Sequence, residues 1–241
     1  MDALSIRYAT SEPRAVPLAN ALSWFESAMR IFKRAPWSWC LLGLITLASK
    51  LGLELVPGVG RAASEVVVPV IECGLFCAAA AMDRGEPISV GYAFAAFAAP
   101  PRALAAIVAA ALLVSVAETG TAYALTGVNL LADPGDTRLT SDVLVAVIAA
   151  AMLVSLPVAF VPFAALFEQA RFAQAFAASA RGFALNVAPL LLFGLISLVL
   201  TFIGLLTFWV GLIAVLPLLA TASYAAWKDI YQPRASRLTP S

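Results

Sequence analysis

Lys50, Glu72 and Glu118 are ionisable side chains set inside otherwise apolar stretches, and they are the residues of this chain best placed to do chemistry. A charge deep in a membrane-spanning helix costs about 3 kcal/mol or more unless it is paired or wetted. Counted from the expected inner ends of their helices, Lys50 lies roughly 20 Å along, Glu72 roughly 15 Å and Glu118 roughly 24 Å. All three then share the outer half of the membrane, where Lys50 is long enough to reach either carboxylate. One reading is a polar site open to the outer face. The other is structural: an ion pair with one of these carboxylates, or Lys50 bonding Glu54 one turn along its own helix.

Composition narrows the remaining chemistry. The chain has no His, which removes the commonest general base and the commonest metal ligand. Intramembrane proteolysis would need paired Asp, a Ser with a His, or a metal-binding His motif, and no expected span has an Asp in its interior. Enzymatic activity is therefore not expected. Cys73 and Cys77 share a helix face and Cys40 lies at a similar depth, a set able to bind a soft metal in principle. Cys is more often a small apolar packing residue, so neither metal nor cofactor is expected. No glycine-rich phosphate loop is present. A net charge of +1 offers no argument for nucleic acid.

The elements that would position these residues are membrane helices. The chain is 62% hydrophobic and 12% charged, about half the charge content of a soluble domain. Val187 to Trp227 contains no Asp, Glu, Lys or Arg and is about twice the length needed to cross a bilayer once. It reads as a hairpin turning near Gly204 to Gly211. The remaining apolar runs complete an all-α architecture of six transmembrane helices in three hairpins, with spans at about 37–55, 66–82, 103–125, 142–167, 188–206 and 209–227. Pro157 and Pro162 should kink the fourth. Residues 18–231 form one membrane domain, flanked by a mobile tail at 1–17 and another tail at 232–241. The first apolar run begins only at Trp37, too late for a secretory signal, and is expected to remain as an anchor.

Each hairpin is expected to follow an amphipathic helix lying in the membrane plane. In Leu18 to Ala35, Leu18, Leu22, Phe25, Met29 and Phe32 recur at helical steps while Ser23, Glu26, Arg30, Lys33 and Arg34 fall elsewhere. Phe25, Met29 and Phe32 are expected in the inner leaflet, with Arg30, Lys33 and Arg34 on anionic headgroups. Ser89 to Ala99 repeats the pattern with Val90, Phe94 and Phe97, with Ser89 as N-cap. Phe172, Phe176, Ser179 and Phe183 form the third stripe, beside Arg171, Gln174 and Arg181. Arg30-x-Phe32 before Pro36 and Arg181-x-Phe183 before Pro189 hint at an internal repeat, although the second unit lacks the Arg.

Charge sets the orientation, because cytoplasmic flanks of spans collect Lys and Arg. With the amino terminus inside, twelve basic residues from Arg7 to Arg237 fall on the inner side, and Lys50, Arg61 and Arg138 remain outside. Both termini are thus expected in the cytoplasm.

The pattern Ala175-Phe176-x-x-Ser179-x-x-x-Phe183-x-x-Asn186-x-x-Pro189, followed by Pro217 and by Tyr224-Ala-Ala-Trp-Lys-Asp-Ile, resembles a family of uncharacterised bacterial inner-membrane proteins. These in turn resemble the membrane part of glycerophosphodiester phosphodiesterases. The resemblance implies six helices in the bacterial inner membrane. It carries over no catalytic residue, since that chemistry belongs to a soluble domain this chain lacks. The function expected is a scaffold or accessory subunit that contacts anionic lipid and a membrane-protein partner or a second copy of itself. The alternative is a small-solute transporter or channel using Lys50, Glu72 and Glu118.

Overall fold

Prolines set where the helices of this chain begin and break. The computed structural model describes residues 6–9, 12–232 and 234–237. Helix α1 (Asn20–Arg34) stops at Ala35, and Pro36 takes the first position of α2 (Pro36–Glu54), where its missing N–H costs nothing. The Trp39 indole donates to the Ile31 carbonyl at 3.4 Å, which fixes the bend between the two helices. Helix α3 (Gly60–Asp83) begins six residues before the expected Val66, because Arg61 and Glu65 are polar residues within a helix rather than a stop to it.

The segment after Asp83 corrects an expectation. It forms a 3-10 helix, Val90–Ala98, rather than an α-helix, and Ser89 makes no side-chain cap. Ala93, Ala96 and Ala99 are buried at three-residue steps while Phe94 and Phe97 are exposed, a repeat that matches three residues per turn. Small residues let this backbone lie directly on α3: a Cβ on Gly74 would run into the Tyr92 carbonyl oxygen.

Helix α4 (Pro101–Thr126) again starts on proline and ends at Gly127, whose φ of 73° is the left-handed conformation glycine adopts freely. The expected fourth span is two helices, α5 (Ser141–Val158) and α6 (Val161–Leu166), broken at Ala159 and Phe160 between the two prolines. Ser179 repairs the break. Its hydroxyl donates to the Pro157 carbonyl at 2.8 Å and accepts from the Phe160 N–H at 3.0 Å. Ser179 comes from α7 (Phe172–Leu185), where Gln174 accepts the Arg171 N–H at the start of the helix.

Helices α8 (Val187–Leu206) and α9 (Leu212–Tyr231) form the closing hairpin. Helix α9 starts three residues later than the expected 209, since Phe208 and Trp209 take positive φ in the turn. The Thr207 hydroxyl donates to the Gly204 carbonyl and accepts from the Gly211 N–H, holding that turn. Beyond Gln232, Ile6–Ala9 (β1) pairs antiparallel with Arg234–Arg237 (β2), the one departure from an all-α chain among the described residues.

Packing is centred on α9, which meets α1, α2, α3 and α8. The Trp227 ring stacks on Phe163 with centroids 5.4 Å apart, and Phe167 and Tyr224 close around it. At Gly43 the α2 and α9 backbones touch: a Cβ there would stand less than 2.5 Å from the Ile213 carbonyl oxygen. The core is aromatic and thick at the end of the bundle that carries both termini. Towards the other end, Val116, Val145, Leu153, Phe202 and Leu206 are exposed on α4, α5 and α8.

Four helical stretches, Gly60–Asp83, Pro101–Thr126, Ser141–Leu166 and Val187–Leu206, are long and apolar enough to cross a membrane, which marks a membrane protein. Helices α2 and α9 fall outside that set. Each carries two charges in its last turns, Lys50 with Glu54 and Lys228 with Asp229.

The helix break supplies a test. Ser179→Ala strands a buried N–H and a carbonyl, and should cost about 1–3 kcal/mol of stability. Ser197→Ala removes only a bond back to Phe193 within α8 and should cost less than about 0.5 kcal/mol. Denaturation in detergent measures both.

Candidate functional site

Polar side chains gather at the two ends of the bundle. At the end away from the termini, the last turn of α2 places Lys50 and Glu54 on one face, with Lys50 Nζ 3.3 Å from Glu54 Oε1. Helix α3 brings Arg61 and Glu65 beside them, and Arg61 donates to the Leu130 carbonyl, tying the start of α3 to the loop after α4. Glu118 of α4 completes a cavity of about 220 Å³. Lys50 and Glu118 therefore share one cavity, while Lys50 takes Glu54 as its ion-pair partner. At these exposures such a pair contributes about 0–1 kcal/mol.

Glu72 stands apart. It does not line the cavity, and among the described residues it makes no hydrogen bond or ion pair, although Lys50 and Glu65 act on it electrostatically. Glu65 is a member that sequence reasoning missed. It lies seven residues before Glu72 on the same helix face, a signal lost when the span is started at Val66. Ser115 is buried three residues before Glu118 and lines the same cavity.

At the terminal end, α1 has two apolar faces. Ala21, Trp24, Ala28 and Ile31 are buried, with α1 lying mainly on α9, a face that the stripe expected from sequence does not include. The expected stripe is the adjacent one. Leu18, Leu22 and Met29 are exposed, Phe25 stacks on Phe193 with centroids 5.3 Å apart, and Phe32 packs half-buried against the core. Arg30, Lys33 and Arg34 are exposed beside it.

What anchors α1 is one carboxylate. Asp229 Oδ2 accepts from the Trp24 indole at 2.9 Å and from Asn20 Nδ2 at 2.7 Å, and Oδ1 accepts from Arg14. The expected mobile tail is corrected over residues 12–17: the Arg14 N–H donates to the Ile230 carbonyl, and the Val16 N–H donates to Asn186 Oδ1. Residues 1–5, 10–11, 233 and 238–241 of the two expected tails lie outside the described residues. Asp83, at the end of α3, accepts from Lys228 Nζ at 2.6 Å and from the Tyr224 hydroxyl at 3.1 Å.

These contacts wall a cavity of about 480 Å³ between α1 and α9. Arg14, Arg30, Arg34 and Lys228 line it against Asp83 and Asp229, so cations outnumber carboxylates four to two. Burial pushes the Asp229 carboxyl up, but the hydrogen bonds from Trp24, Asn20 and Arg14 outweigh it and hold the group below its ordinary range. Asp229 lies two residues past the expected end of the last span.

A carboxyl held low stabilises the fold above its ordinary value of 3.8, and that contribution is lost as pH falls through the lower folded value. The melting temperature in detergent should therefore drop as the solution is acidified below about 4, and Asp229→Asn should flatten that limb. Asp229→Ala strands three donors and should cost about 2–4 kcal/mol at neutral pH. Against these geometries, comparison with protein-family models, curated proteins and solved structures finds no match to this chain.

Proposed function

We propose that this chain is a six-span, non-enzymatic protein of the bacterial inner membrane, with both termini in the cytoplasm, that acts as a scaffold or accessory subunit. The observation that carries this reading is the build of the terminal end. Three short elements there, α1, the 3-10 helix and α7, each lead into a long helix and each expose apolar side chains: Leu22 and Met29, Phe94 and Phe97, Phe172 and Leu185. Such a face suits contact with the inner leaflet and with another membrane protein. Its excess of Lys and Arg supports the cytoplasmic orientation. Helices α2 and α9, of 19 and 20 residues, are each about long enough to cross a bilayer and pack against one another, which supports counting six spans.

One observation favours the second reading, a small-solute transporter or channel: the cavity that joins Lys50 and Glu118. It ends blindly. Between it and the cavity at the terminal end, α3 is packed tight from Val70 to Ala81, with Cys73 and Cys77 inside the core. That solid middle supports the scaffold reading over a conduit.

Reporter fusions after Gly85 and after Gln174 should read as cytoplasmic and one after Asp136 as external; the reverse pattern overturns the orientation. Purification in gentle detergent should recover a co-purifying membrane protein or a stable homo-oligomer. A clean monomer under several mild conditions would count heavily against the scaffold.

A further inference from the structure

We propose that the cavity between α1 and α9 is a binding site for a phosphate-bearing anion, held by Arg30 and Arg34. The charges in the cavity are unequally spent. Asp229 is saturated by Arg14, Asn20 and Trp24, and Asp83 by Lys228 and Tyr224. Both carboxylates are thereby committed, and Arg14 and Lys228 with them. Among the described residues Arg30 donates only to the Ser27 hydroxyl at 2.8 Å, and Arg34 only to the Met82 carbonyl at 3.2 Å. Among the described residues neither guanidinium meets a carboxylate, so each keeps most of its donors for a ligand.

The chemistry of those donors selects the ligand. A planar guanidinium matches the oxygens of a phosphate in a two-point hydrogen bond, and two of them four residues apart on α1 reach the same space. Ser27 accepts from Arg30 and lines the same cavity, so its hydroxyl adds a polar group to the site. At about 480 Å³ the cavity falls among small-molecule sites, which run from about 300 to 1,000 Å³. Leu22 and Met29 are exposed on the opposite face of α1 and do not line it. The opposite end of the bundle has the reverse balance, with Glu54, Glu65 and Glu118 against Lys50 and Arg61, so an anion discriminates between the two.

Two sources supply this chemistry, the phosphate of an anionic lipid headgroup and free phosphate. The lipid source rests on the reading that this end faces the inner leaflet; the free anion does not.

The test uses the full chain, purified in a zwitterionic detergent, titrated with dioctanoyl phosphatidylglycerol, dioctanoyl phosphatidylcholine and inorganic phosphate. Saturable binding of the glycerol lipid, tighter than the choline lipid and weakened about tenfold or more by Arg30→Gln with Arg34→Gln, is the expected result. Arg102→Gln with Arg181→Gln removes the same charge away from the cavity and should change binding by less than about twofold. Competition by inorganic phosphate assigns the site to the free anion as well as the lipid, and lipid binding without competition assigns it to the headgroup. Equal binding of both lipids with no phosphate binding overturns the proposal, as does an equal loss in the two double variants. Should Arg30→Gln with Arg34→Gln fail to melt cooperatively, Ser23→Phe decides, since it fills the mouth of the cavity and keeps every charge; unchanged binding then overturns it. A reporter pattern showing this end outside the cell would remove the inner-leaflet source while leaving the phosphate titration in detergent to stand or fall alone.

Discussion

The carboxylate of Asp229 joins the two ends of the chain, reaching partners 205 to 215 positions away. It receives the N-terminal segment through Arg14 and helix α1 through Asn20 and Trp24, and it presents them to α9. Hydrogen bonds to a charged acceptor are roughly twice as strong as neutral ones, so the carboxylate gains from staying ionised despite its partial burial. Because α1 is fixed there, its Ala21, Trp24, Ala28 and Ile31 face is covered and its second apolar face is turned outward. Arg14, Asn20, Trp24 and Asp229 thereby form part of the wall of the cavity between α1 and α9.

Around that anchor the core is graded. Trp24, Trp39, Tyr224, Trp227, Phe163 and Phe167 are buried together at the terminal end, whereas the far halves of α4, α5 and α8 carry exposed aliphatic residues. In lipid, association gains nothing from excluding water, so close backbone approach and satisfied polar groups carry more of the packing. Gly43 against Ile213 and Gly74 against Tyr92 provide the close approach. Ser179 provides the satisfied groups at the break before α6, where two prolines would otherwise leave backbone groups unpaired.

The two ends of the bundle consequently differ in what they offer a ligand or partner. One has surplus guanidinium donors beside exposed apolar side chains. The other has surplus carboxylates around Lys50, which is already paired with Glu54. The largely buried run of α3 from Val70 to Ala81 lies between them.

Sequence alone determined the helical class and four of the membrane-length helices, because a long run without charges has few alternatives to lipid. It located the kink from Pro157 and Pro162, since proline acts through its own missing N–H. Counting along helices puts Lys50 and Glu118 in the same half of the bundle, and the fold sets both on one cavity while leaving Glu72 off it. Tertiary structure decided what counting cannot reach. Periodicity marks an apolar face but not its partner, so the buried face of α1 was invisible beside a more hydrophobic neighbour made of Leu22, Phe25 and Met29. A three-residue repeat of alanines is too weak a pattern to distinguish a 3-10 helix from an α-helix until α3 lies against it. Asp229 and Trp24 are 205 positions apart, and Lys228 and Asp83 are 145 apart, so no local rule pairs them; only the fold that brings α9 under α1 and α3 could choose those partners.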